Sequence, residues 1–174
     1  GKAVAGGVVE TVRGVSMAPT TVRMVLVEGE NADGATVDTE NFELPAGRTP
    51  DAPDAPRQVV SAILGTREGA VEAGYELASI GVTWTEAGQA ATLNDLLAGL
   101  KIEKVMLVSA FLAAAALAQT VGNATHYAQT ALLFLEPYTA TLAVVDSADG
   151  SLADARRQNL PDDEHAAVAA LTAM

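Results

Sequence analysis

The chain has no cysteine, which excludes disulfides, thiolate catalysis and cysteine-ligated zinc, and fits a reducing compartment. Aromatic residues are almost as scarce, with one Trp, three Tyr and three Phe, or 4% of the sequence. Because 49% of residues are hydrophobic, the core must be assembled from Ala, Val and Leu. Positive charge is also short. Ten Lys and Arg stand against 22 Asp and Glu, a net charge of −12. Nucleic acid and anionic lipid both demand a basic face, so neither is expected as a partner. His126 and His165 are the only histidines, which leaves few bases for a catalytic dyad or triad. At 174 residues the chain has the size of one ordinary domain, or one domain with the start of a second.

One stretch requires a membrane test. Val105 to Leu135 carries no Asp, Glu, Lys or Arg. A bilayer span needs about 20 apolar residues in one helix. Here Gly122-Asn123 is expected to break the run early, and Ser109, Gln119 and Thr120 dilute it. The segment reads instead as a buried strand feeding an Ala-rich helix. Gly1–Gly7 lacks the apolar core of a secretory signal.

Three strand-like runs open the chain: Val8–Val15, Val22–Glu28 and Ala35–Leu44. Asp33-Gly34 is expected to supply the positive-φ positions of a hairpin turn between the second and third. Pro45–Pro56, with four prolines, reads as a linker or surface loop. A helix containing Val59, Val60, Ile63 and Leu64 follows, with Asp54 and Pro56 as start signals. Leu77–Thr85 reads as a strand, and Leu93, Leu96, Leu97 and Leu100 form one face of the next helix. Val105–Val108 is a short strand. The helix Phe111–Val121, apolar on nearly every side, is expected in the interior. Strands then return at Thr130–Glu136, Thr139–Asp146 and Ser151–Arg157, and a last helix starts near Pro161 with Asp162, Asp163 and Glu164 at its positive end. The order is βββαβαβα followed by βββα, a mixed α/β chain.

The two βββα stretches share residues. Pro19-Thr20-Thr21 and the strand ending in Glu28 align without gaps on Pro137-Tyr138-Thr139 and the strand ending in Asp146. After a two-residue shortening, Ala32-Asp33-Gly34 matches Ala148-Asp149-Gly150. Turn chemistry is common to many hairpins, but the combination of Pro, Thr, acid and Asp-Gly points to an internal repeat.

In this arrangement the chain resembles the actin-like ATPase superfamily, which includes the heat shock protein 70 (DnaK-type) chaperones, sugar kinases and actin. Gln89–Gly122 (QAATLNDLLAGLKIEKVMLVSAFLAAAALAQTVG) looks like the helix, strand and "TAAALAYG" connecting helix of those chaperones. The chain is also similar to the N-terminal domain of a group of actinobacterial, mycobacterial-type proteins in which a membrane helix and a Pro-rich tail follow. The resemblance implies a ribonuclease-H-like subdomain over 8–122, a Pro-rich loop over 45–56, and a partial second repeat over 130–174. That partial repeat, too small to bury its own apolar strands, is expected to pack on the first unit or on another chain. The resemblance also implies a cytoplasmic module, anchored to a membrane through a region outside this chain.

In the superfamily a hairpin turn in each half holds ATP phosphates, and the residues implied here are Ser16, Thr20 and Thr21 in the first turn and Glu136 and Thr139 in the second. Phosphate binding in a hairpin needs glycines, so that several backbone N–H groups can approach the oxygens. Ser16 and Ala18 stand where the family has Asp and Gly, and Pro19 lacks an N–H. Pro137 and Tyr138 fill the space of the second loop's glycines. Mg²⁺ would find Glu136 alone, and Ala110-Phe111-Leu112 replaces the family's water-positioning Glu. The expectation is therefore a non-enzymatic interaction or scaffold module on a degenerate ATPase fold, without a cofactor, binding a protein partner or its own copies. The alternative is a divergent ATP-binding protein or weak ATPase that uses ATP and Mg²⁺ through Glu136 and the threonines. Other polar groups read as ordinary surface features: His126 in a loop, His165 at a helix start, and Asp162-Asp163-Glu164 as capping rather than calcium ligation.

Overall fold

A computed structural model describes residues 7–44 and 54–174. They divide between two compact units, Gly1–Ala110 and Phe111–Met174. The first contains β1 (Val9–Met17), β2 (Thr21–Glu28), β3 (Thr36–Glu43), α1 (Ala55–Ala73), β4 (Tyr75–Trp84), α2 (Ala87–Gly99) and β5 (Val105–Ser109). Then come α3 (Ala110–Thr125), β6 (Gln129–Glu136), β7 (Thr139–Asp146), β8 (Leu152–Asn159) and α4 (Glu164–Thr172). The element order is the mixed α/β order read from the sequence.

The first sheet runs β3-β2-β1-β4-β5. β1 pairs antiparallel with β2 and parallel with β4, which pairs parallel with β5. This register places Val15 between Met24 and Val82, and Met17 between Val22 and Trp84. The apolar row so formed is covered by Val59, Val60 and Ile63 of α1 and by Leu93 and Leu97 of α2. Each such side chain removed from water contributes roughly 1.5–3 kcal/mol. α1 starts where Asp54 accepts a hydrogen bond from the Arg57 N–H at 3.1 Å, with Pro56 in its first turn. It stops at Gly74, whose φ of 77° is the left-handed cap glycine accommodates. Of the Pro-rich segment 45–56, residues 45–53 lie outside the described residues, and Ala55 and Pro56 already belong to α1.

Three local expectations change. Between β2 and β3 the positive φ values fall on Gly29 (93°) and Ala32 (55°), not on Asp33-Gly34. Gly34 is required for space instead, since a Cβ there would lie 2.7 Å from the Glu28 carbonyl oxygen. In the second unit, α3 does not end at Gly122-Asn123 but continues to Thr125. Gly122 is where the helix backbone meets the Ser147 and Thr130 hydroxyls, a Cβ there falling 2.6 Å from Thr130 Oγ1. Close approach, not helix breaking, accounts for this glycine. α3 is also less interior than its composition suggests. Ala115 and Ala118 pack against Val145 and Leu132, while Leu117 and Val121 are exposed, because the helix has one sheet face to cover. No helix among the described residues is long and apolar enough to cross a membrane.

The second sheet runs β6-β7-β8, antiparallel throughout. Its backbone hydrogen bonds reproduce those of β1–β3. Gly29 N donates to Glu10 O and Ser147 N to Ala128 O; Gly34 N donates to Glu28 O and Gly150 N to Asp146 O. Leu44 N donates to Thr20 O and Leu160 N to Tyr138 O, both at 2.8 Å, and a proline follows each leucine. The ladder irregularity at Leu26/Val27 recurs at Val144/Val145.

Two of the helical glycines, Gly65 and Gly122, give opposite expectations for one substitution. Gly65→Ala meets open space in α1 and should stabilise the fold by about 0.5–1 kcal/mol. Gly122→Ala must displace Ser147 and Thr130 and should cost about 1–3 kcal/mol. Urea denaturation of both variants measures the difference.

Candidate functional site

The two turns implied as phosphate loops are both closed two-residue turns with proline first. In one, Ala18 N donates to Thr21 O at 2.9 Å around Pro19-Thr20. In the other, Glu136 pairs with Thr139 around Pro137-Tyr138. Neither central pair contains glycine, and each proline removes one N–H that could have faced an anion. Ser16 lies on β1, exposed, opposite Arg23 and Thr83. Thr20 is exposed in the turn, its carbonyl taken by Leu44 N, and Thr21 opens β2 half-buried.

Glu136 and Thr139 do come together. The Thr139 hydroxyl donates to Glu136 Oε2 at 2.9 Å, and Arg157 Nη2 lies 3.7 Å from the same oxygen. The carboxylate is thus committed to a hydroxyl and a cation of its own sheet. In the aligned turn, the position of Glu136 is held by Ala18, so the two turns do not present matching acids. Phe111, in the apolar stretch Ala110-Phe111-Leu112, packs edge-on against Phe134 with centroids 5.8 Å apart. Among the described residues no group of three or more His, Asp or Glu could hold a metal ion. His126 is exposed at the end of α3 with φ 60°, and His165 is exposed on α4. Asp163 caps α4 by accepting from Ala166 N at 2.8 Å. Trp84 is half-buried against the first core.

The polar group that sequence reading missed is Arg13. It sits on β1 with 3% of its surface exposed, facing α1. The guanidinium reaches across β2 to β3, placing Nη2 2.8 Å from Glu40 Oε2 and Nη1 3.5 Å from Asp38 Oδ2. Beside it lies a cavity of about 490 Å³ between β1–β3 and the small residues Ala62, Gly65 and Gly69 of α1. The signal was an arginine in an apolar strand and acids two apart on β3; only the strand register aligns them. The cluster anchors charge in the sheet and brings no nucleophile.

Once placed, the mixed sheet, its two flanking helices and the second βββ meander define an actin-like ATPase fold. Similar solved structures include a Ppx/GppA family member from Aquifex aeolicus, with 10% identity, TM-score 0.55, and coverage of 86% of this chain and 51% of that one. An exopolyphosphatase from Cytophaga hutchinsonii matches at 11% identity and TM-score 0.50, over 85% of this chain and 50% of that one. A Bacteroides thetaiotaomicron protein described as having an actin-like ATPase fold and unknown function matches at 7% identity and TM-score 0.50, over 94% and 75%. At these identities the likeness establishes fold alone. The chain spans about half the length of the first two. Over residues 10–174 the chain belongs to a family described as a family of unknown function (DUF7159). No curated protein matches the sequence.

Two measurements follow from this geometry. Glu40→Ala strips a buried cation of its closest partner and should cost about 1–2 kcal/mol, discounted because Glu40 itself is 43% exposed. Arg13→Met removes the charge altogether and should be close to neutral or stabilising in the same denaturation assay. Separately, hydrogen bonds from Ser151 hold the Asp149 carboxyl below the ordinary aspartate range. Its folded value being depressed, the associated stability is present above the unfolded value and lost as pH falls through the folded one. An NMR titration should place the Asp149 midpoint below that of an unstructured aspartate, and Asp149→Asn should flatten the corresponding part of the acid limb.

Proposed function

We propose that this chain is a non-enzymatic interaction or scaffold module, built on an actin-like ATPase fold whose nucleotide chemistry has decayed. The observation that carries the reading is the state of the two turns. Phosphoryl transfer needs backbone donors, a metal-holding carboxylate and a positioned nucleophile. Here both turns are closed around proline, Glu136 is bound to Thr139 and Arg157, and the apolar Ala110-Phe111-Leu112 stands where the resemblance implies the water-positioning acid. The recurring hydrogen bonds of β1–β3 and β6–β8 support descent from a duplicated βββα unit, the framework outlasting its chemistry. On the same reading the module belongs to a larger, membrane-anchored protein and works on its cytoplasmic side, as the actinobacterial resemblance implies.

A second reading draws on the Glu136–Thr139 pair, which is the acid-and-hydroxyl combination a divergent ATP-binding turn would retain. Calorimetric titration with Mg-ATP separates the two. The scaffold reading expects no binding heat and no hydrolysis above buffer. Micromolar binding, or a hydrolysis rate that Glu136→Ala lowers, overturns it.

A further inference from the structure

We infer that the groove where Arg67, Lys101 and Lys104 converge is a docking site for an acidic peptide that carries an aliphatic side chain beside its carboxylates. This names a class of partner for the interaction module proposed above and rests on that reading, but its test is separate from the nucleotide titration.

The groove lies within the first unit and has a volume of about 410 Å³. Its walls are the last turns of α1, the start of β4 and the connection between α2 and β5. Arg67 Nη2 donates to the Glu103 carbonyl oxygen at 2.8 Å, which ties α1 to that connection. Ile102, between the two lysines, is buried in the core, and the Ile80 N–H donates to the Lys104 carbonyl oxygen at 2.9 Å. The backbone that carries both ammonium groups is therefore held at two points.

Charge sets this groove apart. Its three cations outnumber its two carboxylates, Glu76 and Glu103, in a chain of net charge −12. An acidic ligand is repelled by the molecule as a whole and attracted here, so the field both steers and selects. Lys101 and Lys104 are the only lysines among the described residues, and there neither ammonium has a hydrogen bond or an ion pair.

The backbone points the same way. Lys101 has φ 53° and Lys104 φ 63°, left-handed values that glycine adopts without strain. Lys101 closes α2, its N–H donating to Ala98 O and that of Ile102 to Leu97 O, and glycine is the usual residue in such a cap. The helix dipole favours a cation at Lys101, but its effect fades within a turn and does not account for Lys104. Strain kept at two lysines flanking one groove is explained by a use for their charge.

Aliphatic surface completes the site. Val71, 79% exposed, and the half-buried Leu77 line the same groove. Ammonium groups alone would suit any small anion, whereas this combination suits carboxylates next to a Leu or Val side chain. An anionic bilayer asks for a broader basic face than three cations in a concave wall supply.

Fluorescence anisotropy with a fluorescein-labelled ten-residue peptide of Glu and Leu should show saturable binding that weakens as ionic strength rises. Replacing both lysines, Lys101→Gly with Lys104→Gly, should weaken binding about tenfold or more. The urea midpoint of that variant should hold or rise, because glycine relieves the left-handed backbone; a purely structural role for the lysines would lower it. Glu76→Gln should tighten binding about twofold, and Val71→Asp, at an exposed position, should weaken it. The inference is overturned by no saturable binding at millimolar peptide, or by binding unchanged in the double glycine variant. Equal displacement by inorganic phosphate or leucine-free polyglutamate, preference for phosphatidylserine vesicles, or self-association that the double variant abolishes also overturns it. A Mg-ATP heat that survives the double glycine variant and falls in Glu136→Ala is a failure of the scaffold reading, not of this groove.

Discussion

Burial of one sheet face under two helices is the constraint on which the first unit rests. Val15, Met17, Val22, Met24, Ile80 and Val82 form a continuous aliphatic row, and α1 and α2 cover it with Val59, Ile63, Leu93 and Leu97. A chain with so few aromatic side chains obtains its apolar area from many small, closely packed contacts. That requirement explains the helical alanines, the glycine at 122 where helix meets strand, and the almost uninterrupted aliphatic character of β2.

The second unit obeys the same local rules without the same cover. Its three strands repeat the backbone bonding of β1–β3, down to a leucine amide that closes back on the first turn. α3 covers one face through Ala115 and Ala118, but α4, nine residues long, has no buried residue. Leu133 and Leu135 of β6 are exposed, whereas their counterparts Val15 and Met17 on β1 are buried.

The same separation describes the candidate site. An actin-like framework can persist because its strands and helices are held by burial remote from the turns, whereas phosphate chemistry depends on a few amides and carboxylates at those turns. The proline in each turn sits at the tip of a hairpin, where no ladder bond is lost, so the framework is indifferent to it. Glu136 retains a carboxylate but spends it on Thr139 and Arg157.

Element order and the lack of glycine between Pro19 and Thr21 and between Pro137 and Thr139 were legible in the sequence. They depend on local periodicity, turn chemistry and residue type, which act over a few positions. Arg13 among Asp38 and Glu40 and the uninterrupted course of α3 through Gly122 were not legible. Each arises from register or from close approach between segments far apart in the chain, and identical local sequence would permit other outcomes. Residue types determined which groups the two turns can present; register and close packing between distant segments decided where those groups and Arg13 find their partners.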